Sequence, residues 1–152
     1  MAIWVMVRSP SCGGVEAMNE RVTKPVPVTN VLSAPYWQGL NDGQLLLQAC
    51  AVCGALRHYP RLLCTACFSD AVRWQAASGR GQIHSWMVAH HAFHAGFAAD
   101  LPYTLVTVDL EEGPRALGRW LGDTPHIGLA VHARIELGGE AAELCFEPDG
   151  RD

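Results

Sequence analysis

CAVCGALRHYPRLLCTAC, residues 50–67, is the stretch that decides how this chain folds. It contains two Cys-x-x-Cys pairs, Cys50/Cys53 and Cys64/Cys67, with ten residues between them. A two-residue gap lets both thiolates of a pair point at one ion at ~2.3 Å. Two pairs supply four sulfurs, the closed tetrahedral set of a structural zinc ion (Zn2+), with no position left for water or substrate. Gly54, directly after the first pair, gives the backbone freedom that a tight knuckle needs. The bland alternatives are buried free cysteines or a redox pair, but two evenly spaced pairs favour the metal. The segment has few apolar residues of its own, so the metal is expected to hold it together.

Toward the N-terminus, Ser33 reads as the cap of a short helix over 33–44. Pro35 stands in its first turn and Gly43 at its end. Tyr36, Trp37 and Leu40 fall on one face. A helix this short is unstable alone in water, so that face must dock on this chain or on another. Residues 1–32 read as a flexible tail, extended around Pro25 and Pro27. Met1 to Val7 is apolar but lacks a basic leading region, so it does not read as a secretory signal. Met18 opens a polar stretch that resembles an ordinary cytosolic start. Residues 1–17 therefore read as an upstream extension in which Cys12 has no role.

Toward the C-terminus the pattern turns to strand. The expected strands are Ile83–Phe93, Tyr103–Leu110, Ala116–Leu121, Gly128–Leu137 and Ala142–Phe146. In the second, Leu105, Thr107 and Asp109 oppose Val106, Val108 and Leu110. In the fourth, Leu129, Val131, Ala133, Ile135 and Leu137 share a side. Gly113-Pro114 breaks the chain between strands, and Gly138-Gly139 reads as a hairpin turn. Cys145, on the last strand, reads as a core residue. Five short strands with tight turns suggest an open five-stranded Greek-key barrel of the OB type. The chain thus reads as mainly β: tail 1–32, helix 33–44, zinc ribbon 45–76, barrel 77–148 and tail 149–152.

Apolar residues make up 49% of the 152 and charged residues 17%, enough to build a packed core and too apolar for wholesale disorder. A net charge of −4 gives no general case for nucleic acid, which calls for a basic face. A local patch from Arg57, Arg61, Arg73 and Arg80 stays open. No apolar run reaches the ~20 residues that span a bilayer. Six cysteines without a secretory signal point to metal or free thiols, and to the cytoplasm.

The order of helix, ribbon and barrel carries a resemblance. Pro35-Tyr-Trp-Gln-Gly-Leu40, Leu47-Gln-Ala-Cys50, Arg57-His-Tyr-Pro-Arg61, Trp74 and Ala77-Ser-Gly-Arg-Gly81 are its motifs in the first half. Phe93-His-Ala-Gly-Phe97, Leu101-Pro-Tyr103 and Glu112-Gly-Pro-Arg115 are those of the second. Over about residues 33–148 the chain resembles the acyl-CoA-associated zinc-ribbon/OB-fold family, domain of unknown function family thirty-five. One departure is Thr65, where that family usually carries proline. The resemblance implies a rubredoxin-like ribbon followed by an OB barrel. It also implies an accessory subunit, inactive alone, in a hetero-oligomer with a thiolase-fold enzyme: a thiolase, an aldolase or an acyltransferase of lipid or steroid metabolism. Such subunits stabilise the partner and shape its acyl-CoA site or channel. Loss of the metal is then expected to abolish folding and partner binding together.

Other chemistry is weighed against that reading. His90, His91 and His94, beside Phe93 and Phe97, could form a metal or acid–base site. Adjacent residues of a strand point to opposite sides, so a polar aromatic loop at an interface or channel mouth is favoured. Gly79-Arg80-Gly81 is too short for a nucleotide fingerprint and reads as a turn, with Arg80 able to meet a CoA phosphate. Asp109, Glu111 and Glu112 have no nucleophile beside them and read as a solvated strand end. Of Trp37, Trp74, Trp86 and Trp120, Trp37 is the expected interface anchor. The partner or acyl-CoA channel set is therefore Trp37, Arg80, Phe93, His94, Phe97 and Tyr103. The competing reading is a single-stranded nucleic-acid binder, since OB barrels and zinc ribbons both serve that role. A small independent enzyme built on the histidines is the third.

Overall fold

Pro35 and Gly43 bracket a helix as their chemistry dictates. Helix α1 runs Ala34–Asn41 with Pro35 in its first turn, and Gly43 follows at φ +75°. The structure is a computed structural model and describes residues 23–138 and 141–150. Ser33 holds the N-cap position but makes no side-chain capping bond, contrary to expectation. Its Oγ accepts from the Asn30 N–H at 3.1 Å, and Asn30 Oδ1 accepts from the N–H groups of Leu32 and Ser33 at 3.0 and 2.9 Å. An asparagine turn, one residue type better at this than serine, starts the helix instead.

The ribbon is a three-stranded antiparallel sheet. Strand β1 (Leu46–Cys50) lies between β2 (Leu56–Arg57) and β3 (Val72–Ala76). Its base is more apolar than the sequence suggested. Leu45 and Leu47 are buried and join Tyr36 and Leu40 of α1, and Ile83, Val106 and Phe146 beyond the ribbon, in one continuous core. The metal therefore does not hold the whole ribbon together by itself.

Five strands follow: β4 (Arg80–Ala89), β5 (Tyr103–Leu110), β6 (Arg115–Trp120), β7 (Ala130–Glu136) and β8 (Glu143–Pro148). They close in the order β4-β5-β6-β8-β7, with β6 and β8 parallel and the other pairs antiparallel. This is the OB-type Greek-key barrel. It is closed rather than open, because Arg80–Gln82 pair with Ala130–His132. Close approach between strands needs glycine. A Cβ on Gly118 would lie 2.7 Å from the Leu144 carbonyl oxygen and 2.8 Å from the Phe146 ring, so only glycine lets β6 run beside β8.

The first barrel strand was expected over Ile83–Phe93 and is displaced. Gly79 at φ +75° turns the chain so that Arg80 already enters the ladder, which corrects the reading of Gly79-Arg80-Gly81 as a turn. The ladder ends at Ala89, opposite Tyr103, the first residue of β5. Phe93 and the three histidines therefore lie in a loop that leads into a 3-10 helix, Ala95–Asp100. The expected alternation holds in β5, where Val106, Val108 and Leu110 are buried. In β7, Val131, Ala133 and Ile135 face the core, but Leu137 lies past the strand end and is exposed. Cys145 and Trp120 are buried, Trp37 and Trp74 pack on the rim of the core, and Trp86 is exposed. Gly139 of the expected hairpin turn, Cys12 and the expected extension 1–17 lie outside the described residues. Among the described residues no helix is long and apolar enough to cross a membrane.

Candidate metal centre and adjoining surfaces

Two knuckles of matching geometry bring the four cysteines together. In the first, the Gly54 N–H bonds the Cys50 carbonyl at 3.0 Å and the Cys50 N–H bonds the Ala55 carbonyl at 3.0 Å. In the second, Phe68 and Cys64 N–H groups make the same bonds to the Cys64 and Ser69 carbonyls, each at 2.9 Å. The chain reverses through a left-handed residue each time, Gly54 at φ +76° and Phe68 at φ +58°. The Cys53 N–H points at Cys50 Sγ (3.5 Å) and the Ala66 N–H at Cys64 Sγ (3.4 Å).

The four sulfurs lie within 4.8 Å of one another, with Cys50–Cys67 at 3.5 Å and Cys53–Cys64 at 3.6 Å. Sulfurs held tetrahedrally at ~2.3 Å from a centre are about 3.8 Å apart, so this set fits zinc. None of the four is in a disulfide. The Cys53 N–H pulls the Cys50 thiol down to about 6, and the Ala66 N–H lowers Cys64. At Cys67 the Ser69 N–H also lowers, but the crowding sulfurs of Cys53 and Cys50 outweigh it and push the thiol up to about 12. A dication relieves that crowding and lets all four ionise. The set is closed and all-sulfur, so it is a structural zinc site; bound metal supplies a cross-link there and no reaction chemistry.

The six residues expected to meet a partner or acyl-CoA do not form one site. Trp37 and Phe97 line a groove of about 580 Å³ between α1, the segment Lys24–Pro27 and the barrel wall, together with Tyr36 and Tyr59. Tyr103 stacks obliquely on Phe97 at 6.2 Å. Lys24 sits over the Phe97 ring and pairs with Asp100 at 2.6 Å; Arg119 reaches the same carboxylate at 2.8 Å and lies over Tyr103. His94 Nδ1 accepts from the Gly96 N–H at 3.1 Å, which caps the 3-10 helix. Phe93 is almost wholly exposed, with His91 at the edge of its ring. Arg80 stands apart at the other end of β4, nine rungs or roughly 30 Å from Ala89. There it pairs with Glu111 at 3.1 Å.

The remaining candidates are accounted for structurally. Among the described residues, the cysteines are the one group of three or more such side chains close enough to hold an ion, so the histidines do not converge on a metal. Asp109 pairs with Arg115 (2.6 Å) and His84 (2.8 Å), and Glu112 accepts from the Ser78 N–H at 2.6 Å. Three residues escaped the sequence reading. Gln48 is buried, and its Oε1 accepts from Arg57 Nε and, at 2.9 Å, from the Arg61 N–H, which ties the loop after β2 to β1. His58 is half-buried between Tyr36 and Tyr59, and the loss of solvent holds its imidazole down at about 4. Phe68 occupies the position that glycine takes in the first knuckle; the matching place of Gly54 was the available signal.

Residues 37–73 match the model of the ChsH2 rubredoxin-like zinc ribbon domain, and residues 74–136 that of the ChsH2 C-terminal OB-fold domain. The chain is 34% identical over 114 residues to a probable enoyl-CoA hydratase alpha subunit of Thermomonospora curvata, covering 73% of this chain and 35% of that protein. It is 32% identical over 120 residues to the 3-oxo-4,17-pregnadiene-20-carboxyl-CoA hydratase alpha subunit of Mycobacterium tuberculosis, covering 77% and 38%. It thus spans little more than a third of those relatives. Among solved structures, the Ltp2-ChsH2(DUF35) aldolase matches with a TM-score of 0.73 at 33% identity, over 81% of this chain and 98% of that one. With both domain models placed in succession and that second chain matched almost end to end, the protein belongs to the ChsH2/DUF35 family of zinc-ribbon/OB-fold proteins.

Proposed function

We propose that this protein is a non-catalytic subunit that assembles with a thiolase-fold acyl-CoA enzyme, stabilises it and shapes its acyl-CoA site or channel. The observation that carries the reading is the match over 98% of a chain of the Ltp2-ChsH2(DUF35) aldolase, at 33% identity. The closed, all-sulfur metal centre adds support, since it leaves no open position for a reaction. The groove residues Trp37 and Phe97, with Tyr103, His94 and Phe93 beside them, are the surface assigned to the partner or its acyl-CoA channel. Arg80, at the far end of β4, would serve only as a separate contact. The units that act are ribbon 45–76 and barrel 77–148, in the cytoplasm, where reduced cysteines keep zinc.

The nucleic-acid alternative finds no support on the barrel. The described barrel arginines, Arg80, Arg115, Arg119 and Arg134, each face a carboxylate, which leaves no basic groove on the barrel. The test is capture by the tagged, zinc-loaded chain. Recovery of a thiolase-fold protein, with no acyl-CoA cleavage by the chain alone, is the expected result. Robust cleavage by the purified chain, or failure to recover any such protein, would overturn it.

A further inference from the structure

The two knuckles are built alike, yet their reversing residues differ. Gly54 adopts the left-handed conformation at no steric cost, and a Cβ there would meet open space. Phe68 adopts it with a full side chain, the sole described non-glycine residue at positive φ. Its ring gains nothing in return within this chain, for it is 75% exposed. A strained bulky residue where glycine would be easier marks a place kept for something other than folding.

The surroundings of Phe68 have a definite chemistry. Val52, Leu62, Leu63 and Val72 are also exposed, and each lies beside a zinc ligand or close to one in sequence or across the ladder. Among them stand Arg61 and Arg73, both exposed. Arg73 bonds only the neutral Gln75, and no carboxylate among the described residues lies within ion-pair distance of either guanidinium. This is the reverse of the barrel, whose described arginines are all paired. Over residues 45–76 three arginines face one aspartate, in a chain whose net charge is −4. A loaded zinc tetrathiolate carries a formal charge of about −2, which arginines offset at a distance. That leaves most of their hydrogen-bonding forks open, and forks of this kind fit carboxylates. The loop is also held in advance. Gln48 accepts from both Arg57 and the Arg61 N–H, and Arg57 reaches the Arg61 carbonyl at 3.4 Å. Ordering that loop therefore costs little on binding.

We propose that the tip of the zinc ribbon is a docking surface for an apolar depression rimmed by carboxylates on a protein partner, with Phe68 as the apolar anchor and Arg61 and Arg73 as the charged clamps. The inference rests on the subunit reading above and names a second surface that the partner meets. It differs from the groove beside α1, which lies on the barrel side.

The test uses the full zinc-loaded chain, and the probe is the thiolase-fold protein that it captures, identified by mass spectrometry and then purified. Phe68→Gly should keep one zinc per chain and an equal or higher melting temperature, since it relieves the backbone, yet weaken partner binding about 30-fold. Arg61→Glu with Arg73→Glu should weaken it about as much, with a reduced salt dependence. Hydrogen exchange in the complex should protect residues 51–73. Normal binding by Phe68→Gly, or protection confined to the barrel, overturns the docking surface and leaves the subunit reading standing. Failure of the wild-type chain to capture any such protein overturns both. Concentration-dependent self-association abolished by Phe68→Gly assigns the tip to a second copy and overturns the proposal. Salt-dependent retention of a single-stranded oligonucleotide, lost in the double arginine variant, overturns it in favour of a phosphate backbone.

Discussion

From Arg80 onward the protein is held by apolar burial: Ile83, Val106, Val108, Val131 and Phe146 are almost fully enclosed, and the barrel arginines are matched by carboxylates. Between residues 51 and 71 the buried positions are Arg57 and Cys64 alone. Leu56 packs on the edge of the core, but the rest of that stretch encloses no large apolar side chain, and neither Arg57 nor Arg61 meets a carboxylate among the described residues. The tip therefore depends on sulfur coordination, while the barrel could stand without metal. The boundary falls near Cys50, because Leu45 and Leu47 just before it already belong to the shared core, and beyond it Leu56, His58 and Tyr59 touch only its edge. A region stabilised by a point cross-link can keep its apolar side chains outside, where a partner can reach them. A region stabilised by burial cannot.

The strongest way to break this contrast is to remove the metal. Zinc supplies on the order of 10–16 kcal/mol of apparent folding free energy in small modules. Chelation, or Cys64→Ser, should abolish amide protection over residues 50–71 while β5 and β6 stay protected in hydrogen exchange. Partner binding should be lost with the tip. Loss of protection across the whole chain would instead restore the expectation that the metal holds everything together. The converse is Phe146→Ala in the barrel. It should cost about 3–5 kcal/mol in denaturant unfolding, and the folded fraction should still bind one zinc.

A third measurement sharpens the boundary through His58, at the junction of ribbon and helix. Burial keeps its imidazole neutral down to about 4, whereas the unfolded chain takes up the proton near about 6.5. Stability should therefore be full above about pH 6.5 and fall as the pH drops toward 4, by on the order of 3 kcal/mol. Denaturant melts at saturating zinc, at pH 7 and 5, read this directly, and His58→Phe should flatten the difference. The smallest effect belongs to Asp100, a surface pair of the barrel. Lys24 first, and Arg119 with it, hold its carboxyl below the ordinary range. Its stabilisation is present above about pH 3.9 and fades as the pH falls through the lowered native value. Asp100→Asn should cost under about 1 kcal/mol by thermal melting, and should remove that acid limb.

Much of this molecule was legible from its residues. The zinc ligands follow from spacing, since two residues between cysteines is a local geometric condition that the chain meets wherever it folds. The alternation of β5 follows in the same way, because a pleat turns successive side chains to opposite faces. Other features were not legible. The first barrel strand began and ended at places set by its neighbours: Arg80 enters because His132 lies opposite, and the strand stops where β5 has no residue left to offer. Asn30 replaced Ser33 at the helix start because its Oδ1 reaches the Leu32 and Ser33 N–H groups. The six residues grouped as one channel came apart because β4 carries Arg80 about 30 Å from the aromatic end.

The metal centre and the succession of helix, ribbon and barrel are properties of neighbouring residues, so the chain's order of letters was enough for them. Barrel closure, the groove shared by Trp37 and Phe97, and the burial of Leu45, Leu47 and Gln48 join residues far apart in the chain. So does the pairing of the barrel's described arginines, and with it the contrast that leaves Arg61 and Arg73 without a carboxylate among the described residues. These are settled only when distant strands meet, because pairing, enclosure and charge compensation are relations between surfaces and are not carried by any one segment.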